Sequence, residues 1–333
     1  MSLAIEHQHQ IRISETPSLC LAELPSSNEV AAIVTELARP LREDAEYRDA
    51  FYDRMQTVRT PLERIGDLNG SPIYMKPEFL QESGAYKQRG ANNAVLQTPA
   101  HKVVTYSTGN HGQAVMKAGL RMGKQVILEL PETISAAKLQ PLQLAAQEQG
   151  EMLQLNFHTT FQQAQEAAQR RKAEQDVEVI DPFGHWNVLA GQCSVGEEMV
   201  EDLVARGLSH ENITIAVSAA GGGHLLGIAL PVWLAKQSKR LGSNVKVVAV
   251  QPENTDALGR AVAKVQAGEE PVNLFVPGEL DRDCDALAIT EESLSPLTLA
   301  IAADTNFVSA FTTIDKVHLA YARQYMSDQA GVQ

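Results

Sequence analysis

Residues 102–113 read Lys102-Val103-Val104-Thr105-Tyr106-Ser107-Thr108-Gly109-Asn110-His111-Gly112-Gln113. Lys102 to Tyr106 is a short β-branched run that suits a strand. It stops at a polar, glycine-containing turn, and a helical stretch follows from Gln113 to Met122. The same unit recurs downstream. Strands are predicted at Gln125–Leu130, Met152–Leu155, Val177–Ile180, Ile213–Val217 and Val245–Val250. Helices are predicted at Ala136–Gln149, Phe161–Ala173, Val188–Arg206 and Leu225–Ser238. Alternation at this spacing predicts an α/β protein of βαβ units, with parallel sheets covered by helices on both faces. The most economical division has two sheet domains. Residues 93–186 form the smaller one, and 59–92 with 187–333 form the larger. Residues 1–58 form an N-terminal helical extension, with Glu29 to Met55 broken at Pro40. The expected site lies in the cleft between the two sheets, at the carboxyl ends of the strands.

The 333 residues are 44% hydrophobic and 21% charged, an ordinary globular composition. The net charge of −13 argues against nucleic acid or an anionic membrane as partner, while leaving room for a local anion pocket. Cys20, Cys193 and Cys284 are far apart and form no metal or disulfide framework, which fits a reducing cytoplasm. No apolar run approaches about 18 residues, so no transmembrane helix is expected. Met1 to Arg12 lacks a signal-peptide pattern.

Three segments carry chemistry. Lys87 sits in Ser83-Gly84-Ala85-Tyr86-Lys87-Gln88-Arg89-Gly90-Ala91. Alone it reads as a surface lysine; buried beside cationic or amide neighbours, an amine becomes a nucleophile for Schiff-base chemistry. Ala220-Gly221-Gly222-Gly223-His224 follows a strand and opens a helix. Its amides can converge on an anion, and a phosphate is the natural guest. It is neither a P-loop nor a GxGxxG fingerprint. Ser107 to Gln113 can hold a carboxylate on exposed amides, or simply cap the next helix.

Taken in order, these segments resemble fold-type II pyridoxal-phosphate enzymes, in the serine/threonine dehydratase and serine racemase branch. The resemblance runs from Thr60-Pro61-Leu62 to about residue 325. It also rests on Met75-Lys76-Pro77-Glu78-Phe79-Leu80-Gln81, Pro182-Phe183, Ala190-Gly191-Gln192, Pro252-Glu253-Asn254 and Asp285-Ala286-Leu287-Ala288-Ile289. It implies two open twisted parallel-sheet domains of the tryptophan-synthase-β-like type, a pyridoxal 5'-phosphate cofactor, and a homodimer. Lys87 is then the Schiff-base lysine and the base for the substrate Cα proton. Tyr86 lies against the cofactor, and Asn110 bonds its 3′-oxygen. Gly221, Gly222 and Gly223 cradle the phosphate, with His224 beside them. Ser107, Thr108, Gly109, Asn110 and His111 hold the substrate carboxylate, and Thr108 takes the place of a second-face base. The implied activity is an ammonia-lyase that converts a small β-hydroxy amino acid to a 2-oxo acid and ammonia. The alternatives are a catalytically impaired cofactor-binding homologue, a racemase and a β-replacement enzyme.

The chain departs from that pattern at several points. His224 stands where an apolar residue is usual, to add positive charge or to cap the helix. Gln251 and Ala257 replace carboxylates of metal-activated relatives, so no metal is expected there. Gly184-His185 replaces an acidic pair after Pro-Phe. Relatives continue past the position of Gln333 with a strand that meets the pyridine nitrogen, so the sheet is expected to be short at its C-terminal end.

Overall fold

A computed structural model describes residues 21–107, 109–272, 274, 287 and 294–330. The first described helices are α1 (Ser27–Leu37), α2 (Arg39–Glu43) and α3 (Ala45–Asp49). Ser26 and Glu29 form a reciprocal capping box that starts α1. The break falls at Ala38. Pro40 lies in the first turn of α2, where its missing N–H costs nothing, so it opens a helix and does not break one. Next come β1 (Glu63–Leu68) and β2 (Ser71–Met75), an antiparallel pair that the periodicity does not predict. Its signal is Asn69-Gly70: both residues have positive φ, +51° and +80°, as a two-residue hairpin turn requires. The chain then enters α4 (Lys87–Gln97), with Lys87 as its first residue.

A four-stranded parallel sheet follows. Its elements are β3 (Lys102–Tyr106), α5 (Asn110–Arg121), β4 (Gln125–Pro131), α6 (Ala136–Gln149), β5 (Leu153–His158), α7 (Phe161–Arg170) and β6 (Val177–Val179). The strand order is β5-β4-β3-β6. Strand alternation decides which side chain meets which helix. Val103, Val126 and Leu128 join a core with α4, α5 and α6, whereas Val104, Tyr106 and Ile127 join one with Ala164 and Ala168 of α7. Both faces of this sheet are therefore covered.

The remaining elements are α8 (Trp186–Ala205), β7 (Ile213–Ser218), α9 (Gly223–Gln237), β8 (Val245–Pro252), α10 (Ala257–Gln266), α11 (Pro296–Ala303), β9 (Ala310–Ile314) and α12 (Lys316–Ala330). Parallel strands in the order β7-β8-β9 form the second sheet. Ile215, Val217, Val245, Val247 and Ala249 face a large core shared with α1, α8, α9, α10 and α11. The other face of β7, Thr214, Ala216 and Ser218, is exposed. The expectation of helices on both faces fails for this strand. Ile213-Thr214-Ile215-Ala216-Val217-Ser218 alternates apolar with small or polar residues, the pattern of a half-buried strand. Among the described residues no helix is long and apolar enough to cross a membrane. The Asp285 to Ile289 motif lies outside the described residues except for Leu287, and Gly331 to Gln333 also lie outside them.

Candidate active site

Lys87 stands at the junction of the two sheets. Its Nζ donates to the Pro182 carbonyl at 3.1 Å and lies 5.4 Å from the Tyr86 ring and 5.6 Å from the Phe183 ring. That carbonyl belongs to a loop pinned from below. The Asp181 carboxylate accepts from the Phe183 and Gly184 amides at 2.8 and 2.9 Å, and from the Tyr106 hydroxyl at 2.7 Å. Tyr106 ends β3, so the strand that leads to Ser107 also holds the loop facing Lys87.

A closed ion network lies behind Lys87. Arg89 is fully buried on the first turn of α4. Its guanidinium meets Glu78 at 2.8 Å through Nε and again at 2.8 Å through Nη2, and Glu198 of α8 at 2.6 and 2.9 Å. Lys76 Nζ reaches Glu198 at 2.8 Å, and the Thr60 hydroxyl donates to Glu78 at 2.6 Å. Lys76 also lies 3.7 Å from Asp202, so two cations face three carboxylates. Burial by itself would favour neutral Arg89, but Glu198 and Glu78 outweigh it and raise its pKa. Glu78 is held below its usual range against burial, chiefly by Arg89. Gly90 makes the neighbouring helix approach possible: a Cβ there would lie 2.8 Å from the Val188 carbonyl of α8.

The glycine run forms a turn between β7 and α9. Gly222 has φ +89°, and a Cβ on it would meet the Thr298 Cβ at 2.7 Å. The Thr298 hydroxyl donates to the Gly221 carbonyl at 2.7 Å and holds the turn from α11. Gln251 steadies the preceding strand end: its Nε2 donates to the Ala219 carbonyl at 3.0 Å and its Oε1 accepts from the Gly259 amide at 2.8 Å. Its amide is thus spent within the fold. Among the described residues no three His, Cys, Asp or Glu side chains gather as metal ligands.

His224 follows the run, and its ring stacks on Tyr86 with centroids 4.1 Å apart and planes 12° apart. This contact brings the Lys87 segment against the glycine turn. Burial pushes the His224 pKa down to about 4, Glu78 pulls it up, and Lys87 adds to the lowering. The ring is neutral at pH 7, so it supplies no positive charge there. His111 is 2% exposed, and its Nε2 donates to the Ile180 carbonyl at 3.2 Å. Burial, then the charge of Lys87, lowers its pKa to about 3.

The structure therefore gathers Lys87, Tyr86, His224, Gly221, Gly222, Gly223 and His111. Asn110 is the first residue of α5, and the Ser107 Oγ accepts from the Gly109 amide at 3.1 Å. Thr108 lies outside the described residues. A Cβ on Gly109 would lie 3.7 Å from Lys138 Nζ, so α6 also borders this turn. His185 bonds Glu178 at 3.0 Å and faces His111 electrostatically. Asp181, Tyr106, Thr298 and Lys138 carry no motif of their own, and only the packing identifies them.

The residues fit pyridoxal phosphate. A turn that side chains would fill, the N-terminus of α9, and an amine one hydrogen bond from the loop backbone stand together. At the same place the buried Nδ1 of His224 and both amide atoms of Gln192 have no partner among the described residues. Threonine dehydratase biosynthetic, chloroplastic, of Arabidopsis thaliana is 33% identical over 208 residues, 60% of this chain and 32% of that protein. Serine racemase of Dictyostelium discoideum is 30% identical over 237 residues, 69% of this chain and 66% of that protein. The chain thus spans about a third of the length of the first relative and about two thirds of the second. The solved structure of the processed form of threonine deaminase isoform 2 from Solanum lycopersicum superposes with a TM-score of 0.68 at 22% identity, over 92% of this chain and 80% of that one, and shows the same fold. The family model described as pyridoxal-phosphate dependent enzyme matches residues 54–332, and the chain belongs to that family.

Proposed function

We propose that this protein is an ammonia-lyase, a dehydratase that converts a small β-hydroxy amino acid to a 2-oxo acid and ammonia. The observation that carries the reading is the meeting of Lys87 with the glycine turn through the Tyr86–His224 stack, beside the Ser107–His111 turn. Pyridoxal phosphate, when bound, supplies an electron sink for charge that develops at the substrate Cα. Lys87 would hold the cofactor covalently and then move the Cα proton at Nζ. Gly221, Gly222 and Gly223 would hold the phosphate. Ser107, Thr108, Gly109, Asn110 and His111 would hold and orient the substrate carboxylate, and Asn110 would also meet the cofactor 3′-oxygen. The β-hydroxyl leaves as water, a water returns at C2, and ammonia departs. A homodimer and a cytoplasmic setting belong to the same proposal, as does the division into two sheet domains.

The test is spectral and chemical. Protein with added pyridoxal phosphate is expected to show a visible absorbance band that Lys87→Ala removes, with turnover of serine or threonine falling roughly 10³-fold. Protein that takes up no cofactor would refute the reading. Serine racemase is the second reading, favoured by the Dictyostelium relative. Formation of the D-enantiomer without 2-oxo acid would select it.

A further inference from the structure

Gln192 is fully buried in α8, and neither its Oε1 nor its Nε2 has a hydrogen-bond partner among the described residues. Three glycines from two other helices clear the space it occupies. A Cβ on Gly90 of α4 would lie 3.2 Å from its Cγ, and one on Gly227 of α9 would lie 3.0 Å from its Cβ. A Cβ on Gly223 would lie 2.7 Å from its Oε1. Gly223 is the first residue of α9, at the end where amides are unpaired and the helix is electropositive. The amide of Gln192 therefore rests against the glycine turn. A buried amide without a partner is destabilising, and a methionine of similar shape would fill the same space without that penalty.

We propose that Gln192 is a ligand-binding residue whose amide, with Nε2 turned to the place that Oε1 holds beside Gly223, donates to an oxygen of the phosphate monoester held at the N-terminus of α9. This rests on the reading of the site as a pyridoxal-phosphate site and adds to the backbone cradle a side chain that recognises the phosphate. A binding residue of this kind is kept at a cost to the ligand-free protein, so its removal should shift stability and affinity in opposite directions.

The experiment compares wild type with Gln192→Met in three measurements: uptake of pyridoxal phosphate, uptake of pyridoxal, which lacks the phosphate, and melting temperature of the ligand-free protein. The proposal expects Gln192→Met to bind pyridoxal phosphate about tenfold more weakly, to bind pyridoxal as wild type does, and to melt a few degrees higher. Equal losses for the two compounds, or unchanged affinity for both, would overturn it. Should Gln192→Met fail to fold, Gln192→Asn, one methylene shorter, is expected to show the same phosphate-selective loss, and its absence would overturn the proposal. If wild type takes up neither compound, the functional reading fails, and inorganic phosphate decides the role of Gln192. Thermal stabilisation by phosphate that vanishes in the variant supports that role, and equal stabilisation refutes it.

Discussion

His111 concentrates the chemistry of the site in one side chain. Because the Ile180 carbonyl can only accept, the ring carries its proton on Nε2, and Nδ1 is left without a partner. Its pKa falls from 6.5 to about 3, so the native state refuses a proton that the unfolded chain accepts. A depressed folded value means stability present above about pH 6.5 and lost as the pH drops toward 3. The expected slope is about 1.4 kcal/mol per pH unit from this one group. Urea unfolding at several pH values between these limits measures it, and His111→Asn should remove about one proton from the slope. Gly222 gives a second prediction. Its φ of +89° and the 2.7 Å approach of Thr298 both exclude a side chain. Gly222→Ala is expected to cost about 1–3 kcal/mol and to lower cofactor uptake, read by urea unfolding and by the visible band. Lys87, Gly222 and His111 are legible as site candidates because each stands in a short local motif. Thr298 is not, because its partner Gly221 lies 77 positions away, and Asp181 shows locally only its turn with Phe183 and Gly184, not its bond to Tyr106.

At the scale of elements, α4 carries both Lys87 and Arg89, the centre of the buried ion network. Lys87 and Arg89 share its first turn, so a shift of that turn moves both. Breaking a buried pair from one side leaves an uncompensated charge, which costs more than the pair itself is worth. Glu198→Gln is expected to destabilise the protein by about 3–5 kcal/mol and to weaken cofactor binding, because Arg89 then keeps only Glu78 and Lys76 only the more distant Asp202. Equilibrium unfolding checks the first effect, and absorbance titration checks the second. Local signals at this scale point both ways. Asn69-Gly70 announces the β1–β2 hairpin, while Pro40 suggests a broken helix, although its place in the first turn makes it a helix starter.

Among the described residues, three stretches from different parts of the fold border the candidate site. α4 enters it from the strand-poor N-terminal part, the Ser107–His111 turn comes from the four-stranded sheet, and the glycine turn from the three-stranded one. A ligand held by all three ties them together and shifts unfolding by mass action. Pyridoxal phosphate at about 100 times its dissociation constant is expected to add about 2.7 kcal/mol. This should appear as a concentration-dependent rise in melting temperature. Lys87→Ala should show a smaller rise, through the phosphate cradle alone.

Strand–turn–helix alternation, the lysine segment and the triglycine turn were determined by the sequence itself. Hydrophobic period and glycine placement are local properties, so they read directly as a parallel α/β fold with a glycine turn between a strand and a helix. The tertiary structure alone decided the rest. Arg89 finds Glu198 across 109 positions of chain, and Tyr86 finds His224 only when α4 and α9 meet. Gln192 stands in the Ala190-Gly191-Gln192 motif, but only the packing shows that its fully buried amide lacks a partner among the described residues. Burial and the absence of a partner depend on every element packed around a residue, so no stretch of sequence around that residue can contain them.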